Sequence, residues 1–121
     1  MPTFVEVLDY LRTSKVNAII DIKGGEACIA GMGADLAAYP FDVSSRLLLA
    51  GQSEAEVEMC QKYAPNHLRS YTVRILPGHP TDLDLVNYNA DFTLLKRNPE
   101  FLAEAHLAGI TVFGWTLNTE A

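Results

Sequence analysis

The chain has 121 residues, of which 49% are hydrophobic and 20% charged, with a formal net charge of −6 at pH 7. This composition is typical of one globular domain, so residues 1–121 are treated as a single domain. No apolar run reaches the roughly 18 residues of a membrane span, and the acidic balance argues against nucleic acid as a partner. The N-terminus carries no secretory signal pattern, which predicts a location in the cytoplasm or at the surface of an intracellular membrane.

The N-terminal third predicts a helix, a strand and a second helix. Residues 3–14 form the first helix, because Thr3 and Glu6 have the spacing of a capping box and apolar residues follow at helical intervals. "NAIIDIK", residues 17–23, is a β-branched run of strand length. "EACIAGMGADLAAY", residues 26–39, predicts a weaker helix, since its internal glycines lower helix propensity.

Strands and helices continue to alternate in the rest of the chain. Further strands are predicted at 46–52, at 68–76, within "DLVNYNADFTLL" and within "ITVFGWTLN". Helices are predicted at 53–64, with a capping box from Ser53 to Glu56, and at 98–109, with Asn98 as N-cap and Pro99 in the first turn. Alternation of this kind predicts a parallel α/β fold whose later strands are apolar on both faces.

The two cysteines, Cys28 and Cys60, do not have the spacing of a metal site or a disulfide framework. Each lies in an apolar helical pattern. We therefore expect two buried free thiols, which fits a reducing compartment.

Asp21 and Lys23 are the charged residues of the first predicted strand. Strand side chains alternate, so both residues share a face with Ile19, while Ala18, Ile20 and Ile22 pack against helices. Active sites of parallel α/β folds lie at the C-terminal ends of strands, where a carboxylate suits Mg²⁺ or Ca²⁺ and a lysine suits phosphate. A structural Asp–Lys ion pair explains the same pattern equally well.

Three other strand residues are candidates for a ligand pocket. Trp115 shares a strand face with Thr111, Phe113 and Leu117, which suits either a sheet core or an aromatic pocket wall. Asn87 and Asn89 share a face of the fourth strand, although asparagine is a poor strand former. One of them could therefore face a ligand, with a role in a turn or at a strand end as the alternative.

Patterns for other kinds of catalysis are missing. Gly24-Gly25 does not have the order of a phosphate-binding loop. His67 and His79 fall in predicted loops, and His106 falls on the outer side of a predicted helix. We find no Ser-His-Asp order, no paired catalytic carboxylates and no histidine pair at metal spacing, so the sequence itself assigns no catalytic residue.

Several segments resemble the glycerophosphodiester phosphodiesterase family. "PTFVEVLDYL" looks like its PT-x-x-E-V-L helix, and "AIIDIK" looks like its third-strand motif in the form found in fungal phosphatidylglycerol phospholipases C. "YNADFTLL" is similar to the sixth-strand segment. "FLAEAHLAGITVFGWTLN" resembles the following helix and the seventh strand with its WTVN-type ending. The resemblance spans nearly the whole chain in the family's order.

The resemblance implies a partial TIM barrel, containing roughly strands three to seven of the eight. It implies metal-assisted hydrolysis of a glycerol-linked phosphodiester, either a small molecule or a lipid, and hence a role in lipid metabolism. Ca²⁺ or Mg²⁺ is the family's cofactor. By this resemblance Asp21 is a metal ligand, Lys23 binds near the phosphate, and Trp115 borders the substrate pocket.

The family's catalytic histidines and its two other metal carboxylates precede the matched helix, and its eighth strand follows the matched region. We therefore expect this chain, truncated relative to the family at both ends, to be inactive alone and to self-associate through open sheet edges. One alternative is a non-catalytic α/β module that binds a partner. Another is an unrelated α/β domain in which Lys23 forms a Schiff base.

Overall fold

Helices and strands alternate along most of the chain. The computed structural model describes residues 2–73 and 85–115. For Trp115 it describes the backbone alone. The described elements, in chain order, are α1 (Phe4–Thr13), β1 (Ala18–Asp21), α2 (Gly25–Ala38), β2 (Leu47–Gly51), α3 (Glu54–Tyr63), β3 (Leu68–Val73), β4 (Asn87–Asp91), α4 (Phe92–Arg97), α5 (Pro99–Leu107) and β5 (Thr111–Trp115), with a short 3₁₀ turn over Ser44–Arg46. No described helix is long and apolar enough to cross a membrane.

The five strands form one sheet in the order β1-β2-β3-β4-β5, and every neighbouring pair is parallel. The predicted parallel α/β fold is therefore confirmed. Asp21 is in register with Ala50 of β2, and Asn87 is in register with both Ser70 of β3 and Thr111 of β5. The carboxyl ends of all five strands consequently lie along one edge of the sheet.

One face of the sheet, here called the helix face, carries the core. Ile20 and Ile22 of the β1 segment pack with buried residues of α1, α2 and α3, as the alternation predicts. A second cluster joins β3 and β4 to α5, where the Tyr88 and Phe101 rings meet with centroids 5.0 Å apart. Burial of these apolar side chains is the main force that holds the helices on this face.

The opposite face of the sheet, here called the open face, is more polar than the sequence predicts. Its side chains include Ser70, Thr72, Asn87 and Asn89, so the expectation of strands that are apolar on both faces is wrong for β3 and β4. Ser70 and Asn87 are fully buried nevertheless. Burying two polar side chains costs free energy unless their polar atoms are paired, and Ser70 and Asn87 are hydrogen-bonded to each other.

Arg46 fixes the loop that leads into β1. Its guanidinium donates to the backbone carbonyls of Leu11 at 2.9 Å and Val16 at 3.2 Å, and also to that of Ser14. These acceptors end α1 and begin the approach to β1. The cationic side chain therefore helps to set where β1 starts and hence where Asp21 lies.

The predicted helix starts are confirmed, although the capping differs in detail. Thr3 and Glu6 form the complete capping box. Ser53 accepts from Glu56 N at 3.2 Å, but the Glu56 carboxylate accepts from the backbone of Gln52, one residue earlier than a capping box requires.

Helix α4 is an element that the sequence patterns do not predict. Asp91 ends β4 and accepts a hydrogen bond from Thr93 N at 2.8 Å, which starts the helix at once. As α4 ends at Arg97, the Asn98 side chain donates back to the Leu94 carbonyl at 2.9 Å and does not cap α5. Asn98 is the N-cap residue of α5 and Pro99 begins the helix, as predicted, but the Asn98 side chain makes no capping hydrogen bond to α5.

The two thiols lie in different environments. Cys60 is buried in the core cluster, as predicted, but Cys28 is exposed, so that prediction is wrong. Cys28 lines a groove of about 280 Å³ that also contains Asp21 and Lys23. Within the described residues β1 is an edge strand, and Cys28 borders its carboxyl end, so this thiol lies at the margin of the sheet.

Candidate functional site

Three polar side chains meet where β1 and β2 end. Asp21 is the last residue of β1, Lys23 follows two residues later, and Gln52 comes directly after β2. Lys23 Nζ lies 3.5 Å from Asp21 Oδ2, and Gln52 Nε2 donates to Asp21 Oδ1. The pairing of Asp21 with Ala50 brings the two strand ends side by side. These three residues are called the β1–β2 cluster below.

The β1–β2 cluster is accessible to solutes. The Lys23 side chain is 72% exposed and that of Asp21 is 50% exposed. An ion pair in this setting adds little to stability, because water and salt screen it. Asp21 and Lys23 thus form an ion pair, which is the structural alternative that the sequence left open. Both charges are nevertheless exposed enough to contact a dissolved ligand.

Gln52 is a member of the cluster that the sequence patterns do not reveal. Its side chain matters only because β2 lies beside β1, and strand order cannot be read from spacing. The one available signal is its place immediately after an apolar run, where parallel folds present functional side chains.

The β1–β2 cluster has few of the oxygen ligands that a divalent cation needs. Calcium takes six to eight oxygen ligands, and magnesium takes six. Within residues 2–73 and 85–115, no group of three His, Cys, Asp or Glu side chains is placed to hold a metal ion. Asp21 contributes one carboxylate, and Gln52 presents its amide N–H to it. The described residues therefore do not by themselves fit a resident Ca²⁺ or Mg²⁺.

Asn87 has a structural role. Its Oδ1 accepts from Ser70 Oγ at 2.7 Å, and its Nδ2 donates to Thr111 Oγ1 at 2.9 Å and to the Thr111 carbonyl at 3.2 Å. The side chain is only 1% exposed. Its hydrogen bonds are used within the sheet, so Asn87 ties β3, β4 and β5 together and has little capacity left for a ligand.

Asn89 and Trp115 lie nearer the carboxyl ends of the strands. Asn89 is half-buried and in register with Thr72 and Phe113. The hydroxyl of Thr72 is buried without a hydrogen-bond partner among the described residues. The backbone of Trp115 pairs with Asp91 at the end of β5, while its side chain and all of Leu117 lie outside the described residues.

The described histidines lie away from the β1–β2 cluster. His67 precedes β3 and is half-buried in a pocket with Asp42, at the opposite end of the sheet from Asp21. Burial lowers the pKa of His67, and the Asp42 carboxylate partly opposes this. His106 is exposed on α5, as predicted, and His79 lies outside the described residues. Neither described histidine is placed to act as an acid or a base beside Asp21.

Comparison with solved structures identifies the architecture as part of the TIM-barrel fold of glycerophosphodiester phosphodiesterases, as the sequence predicts. A protein from Silicibacter pomeroyi assigned as a glycerophosphoryl diester phosphodiesterase superimposes with a TM-score of 0.74 at 23% identity, covering 98% of this chain and 46% of that one. A glycerophosphodiester phosphodiesterase from Parabacteroides distasonis gives a TM-score of 0.69 at 13% identity, covering 93% of this chain and 51% of that one.

The chain thus spans about half the length of the structures it matches. At these identities the likeness establishes the fold. No protein-family model and no curated protein sequence matches the chain.

Proposed function

We propose that this chain carries one corner of a phosphodiester-binding site, of the kind used to hydrolyse glycerophosphodiesters. The observation that carries the proposal is the β1–β2 cluster. It places an exposed lysine and an exposed carboxylate together at the carboxyl ends of parallel strands, in a fold shared with glycerophosphodiester phosphodiesterases. The carboxyl ends of strands are where (β/α) barrels hold their substrates.

In this proposal Lys23 attracts the phosphodiester anion. Its ammonium group is a compact charge on a flexible stem, and most of it faces solvent. Asp21 serves as one oxygen ligand of a Ca²⁺ or Mg²⁺ ion whose other ligands come from outside the described residues. Trp115, at the end of β5, borders the substrate. The described residues by themselves supply too few ligands for the ion, so none of them carries a metal-dependent step in this proposal.

We propose further that the chain is catalytically inactive by itself. Hydrolysis needs a proton donor or acceptor within hydrogen-bond reach of the reacting group. The two described histidines lie elsewhere in the fold, and the β1–β2 cluster offers one carboxylate that is already engaged by Lys23 and Gln52. The proposed role is therefore to bind the phosphodiester, with the reactive groups supplied by another part of a complete barrel.

The likeness of "AIIDIK" to the fungal phosphatidylglycerol phospholipase C branch makes a glycerophospholipid the first lipid substrate to examine. The small-molecule counterpart is a deacylated glycerophosphodiester. Both present the same glycerol-linked phosphodiester to Lys23. The head group and the acyl chains are the parts that would distinguish them.

The test is a titration of the purified chain with glycerophosphocholine, followed by ¹⁵N–¹H NMR. We expect the amide signals of Asp21, Lys23 and Gln52 to shift, and Lys23→Gln to weaken binding about fivefold, which corresponds to losing one solvent-screened charge contact. Lys15→Gln is the matched control, because Lys15 is also exposed but precedes β1 at the other end of the sheet. Equal losses from both variants, or shifts confined to other regions, would refute the proposal.

The same samples test the proposed inactivity. With Ca²⁺ or Mg²⁺ added, release of choline from glycerophosphocholine should not exceed the rate in buffer. Turnover that disappears in Asp21→Asn would show that the chain contains a complete active site after all.

The non-catalytic binding module is a second candidate, favoured by a separate observation. A groove of about 390 Å³ runs along the open face, and much of its lining is apolar. Surfaces of this kind mark sites of association with other molecules. The Schiff-base alternative gains no such support, since Lys23 is exposed and paired with a carboxylate.

A further inference from the structure

The hydroxyl of Thr72 is an unusual feature of the open face. Thr72 is 8% exposed, and its Oγ1 is buried without a hydrogen-bond partner among the described residues. Ser70 and Asn87 on the same face are even less exposed, but they are hydrogen-bonded to each other. A buried hydroxyl without a partner costs free energy, and valine suits a strand as well as threonine does. Packing therefore does not explain why this position carries a hydroxyl.

Thr72 lies beside the β1–β2 cluster. Tyr71 is in register with Gly51, so the next residues along the two strands, Thr72 and Gln52, stand side by side where β2 ends. The flanking residues Tyr71 and Val73 pack in the core cluster of the helix face. Because strand side chains alternate, the Thr72 side chain is on the open face, which also carries Asp21.

A ligand held at Lys23 can extend to this position. Neighbouring parallel strands are about 4.8 Å apart, so β1 and β3 are about 10 Å apart across the sheet. Lys23 follows the end of β1 on a flexible stem, and the Gln52 side chain between the two positions donates to Asp21. A ligand with an anionic group and a second polar group several bonds away suits this separation.

The chemistry of the two positions differs. Lys23 supplies a positive charge, which matches the phosphodiester anion. Thr72 supplies a neutral hydroxyl that can both donate and accept a hydrogen bond, as the alcohol groups of glycerol can. Oγ1 is enclosed in the present rotamer, so the contact requires a turn about the Cα–Cβ bond to another staggered position. Lys23 and Thr72 together thus match the phosphate and the glycerol of one molecule.

We propose that Thr72 is a ligand-positioning residue, whose hydroxyl binds a glycerol hydroxyl of the phosphodiester that Lys23 attracts. The inference rests on the proposed function and adds a second contact point to it. A ligand bound at both positions is held in one orientation across the ends of β1, β2 and β3. The hydrogen bond also gives the Thr72 hydroxyl the partner that the described residues do not provide.

The first test measures affinity by titrating the purified chain, with NMR detection. Thr72→Val should weaken the binding of glycerophosphocholine about fivefold, the effect of losing one neutral hydrogen bond, and Thr72→Ser should restore most of it. The analogue with a propyl group in place of glycerol has no alcohol groups, so wild type and Thr72→Val should bind it equally. Unchanged affinity of Thr72→Val for glycerophosphocholine, or equal losses for both ligands, would overturn the proposal.

Lys23→Gln in the same titration separates this inference from the proposed function. If Lys23→Gln weakens the binding of glycerophosphocholine and Thr72→Val does not, the role of Thr72 is refuted and the proposed function stands. If glycerophosphocholine does not bind, or if Lys23→Gln has no effect on its binding, both are refuted.

The second test compares stability, measured by urea unfolding. Thr72→Val should leave the midpoint unchanged or raise it, because it removes a buried hydroxyl that has no partner among the described residues. Thr111→Val is the contrasting control. Thr111 Oγ1 accepts from Asn87 Nδ2 at 2.9 Å, so its loss should lower the midpoint and leave the affinity for glycerophosphocholine unchanged. A midpoint for Thr72→Val as low as that for Thr111→Val would show a structural role and contradict the proposal.

Discussion

Cys28 and Cys60 differ more than their similar sequence surroundings suggest. Burial raises the pKa of the Cys60 thiol to about 11, with a further increase from the Glu56 carboxylate and a partial decrease from the Arg69 guanidinium. Cys28 is exposed beside Gly24 at the start of α2. Since the thiolate is the reactive form, Cys60 is protected by both its environment and its protonation state.

This contrast gives a prediction for thiol labelling. At pH 8 the native chain should react rapidly with one equivalent of dithionitrobenzoate, at Cys28. Cys28→Ser should abolish the rapid phase, and Cys60→Ser should leave it unchanged. The second thiol should appear only in denaturant. Two rapid equivalents in the native chain would mean that Cys60 is not enclosed in the core.

The β1–β2 cluster illustrates what single residues reveal before the fold is known. Asp21 and Lys23 stand out in the sequence because charge is expensive within an apolar strand. Their shared face follows from the alternation of strand side chains, and the structure brings them together as predicted. Gln52 could not be predicted as their neighbour, because its contact depends on which strand lies beside β1.

At the scale of elements, α2 and α3 pack closely against each other. A Cβ at Gly33 would lie 2.4 Å from the Tyr63 carbonyl oxygen, so the two helices approach through this glycine. The Glu26 carboxylate also accepts a hydrogen bond from Tyr63 Oη at 2.8 Å and lies 3.8 Å from Lys62 Nζ. Helix α2 therefore tolerates its glycines because one of them permits this contact.

Gly33→Ala should accordingly lower the free energy of unfolding by about 1–3 kcal/mol, the usual cost of overpacking. Gly31→Ala is the matched control in the same helix. Its Cβ would meet nothing within 4 Å, so the change should stabilise by up to about 1 kcal/mol through helix propensity. Urea unfolding followed by circular dichroism measures both. The packing explanation fails if the two substitutions shift the midpoint in the same direction.

Helix boundaries were predictable where capping residues and apolar spacing agreed, as in α1. They were not predictable where one residue serves two elements. Asp91 ends a strand and begins a helix, and Asn98 ends one helix and precedes another. Spacing rules describe each element separately, so they miss α4, which is six residues long and begins at the Asp91 capping hydrogen bond.

At the scale of the whole molecule, the parallel fold was predictable because regular alternation of strands and helices leaves few other solutions. The polar character of the open face could not be predicted in the same way. Asn87 breaks the apolar pattern of its strand, and its burial is acceptable only because Ser70 and Thr111 are in register with it. That register is a property of three strands that are distant in sequence.

The arrangement of the whole chain also determines its response to metal ions. One carboxylate in the β1–β2 cluster should bind Ca²⁺ or Mg²⁺ no more tightly than millimolar, since such ions need several oxygen ligands. Isothermal titration should therefore detect no saturable binding at micromolar concentrations, and Asp21→Asn should match wild type and the surface control Glu58→Gln. Micromolar binding that only Asp21→Asn removes would mean that the chain assembles a complete metal site.

The row of hydrogen bonds from Ser70 through Asn87 to Thr111 has a consequence for folding. If β4 paired one residue out of step, its side chains would exchange faces, and the Asn87 amide would enter the apolar helix layer. Burying that amide without hydrogen-bond partners would cost about 1–3 kcal/mol for each unsatisfied group. If the open face were purely apolar, the same shift in register would cost less free energy. The row thus favours the native register of β3, β4 and β5 over a one-residue slip.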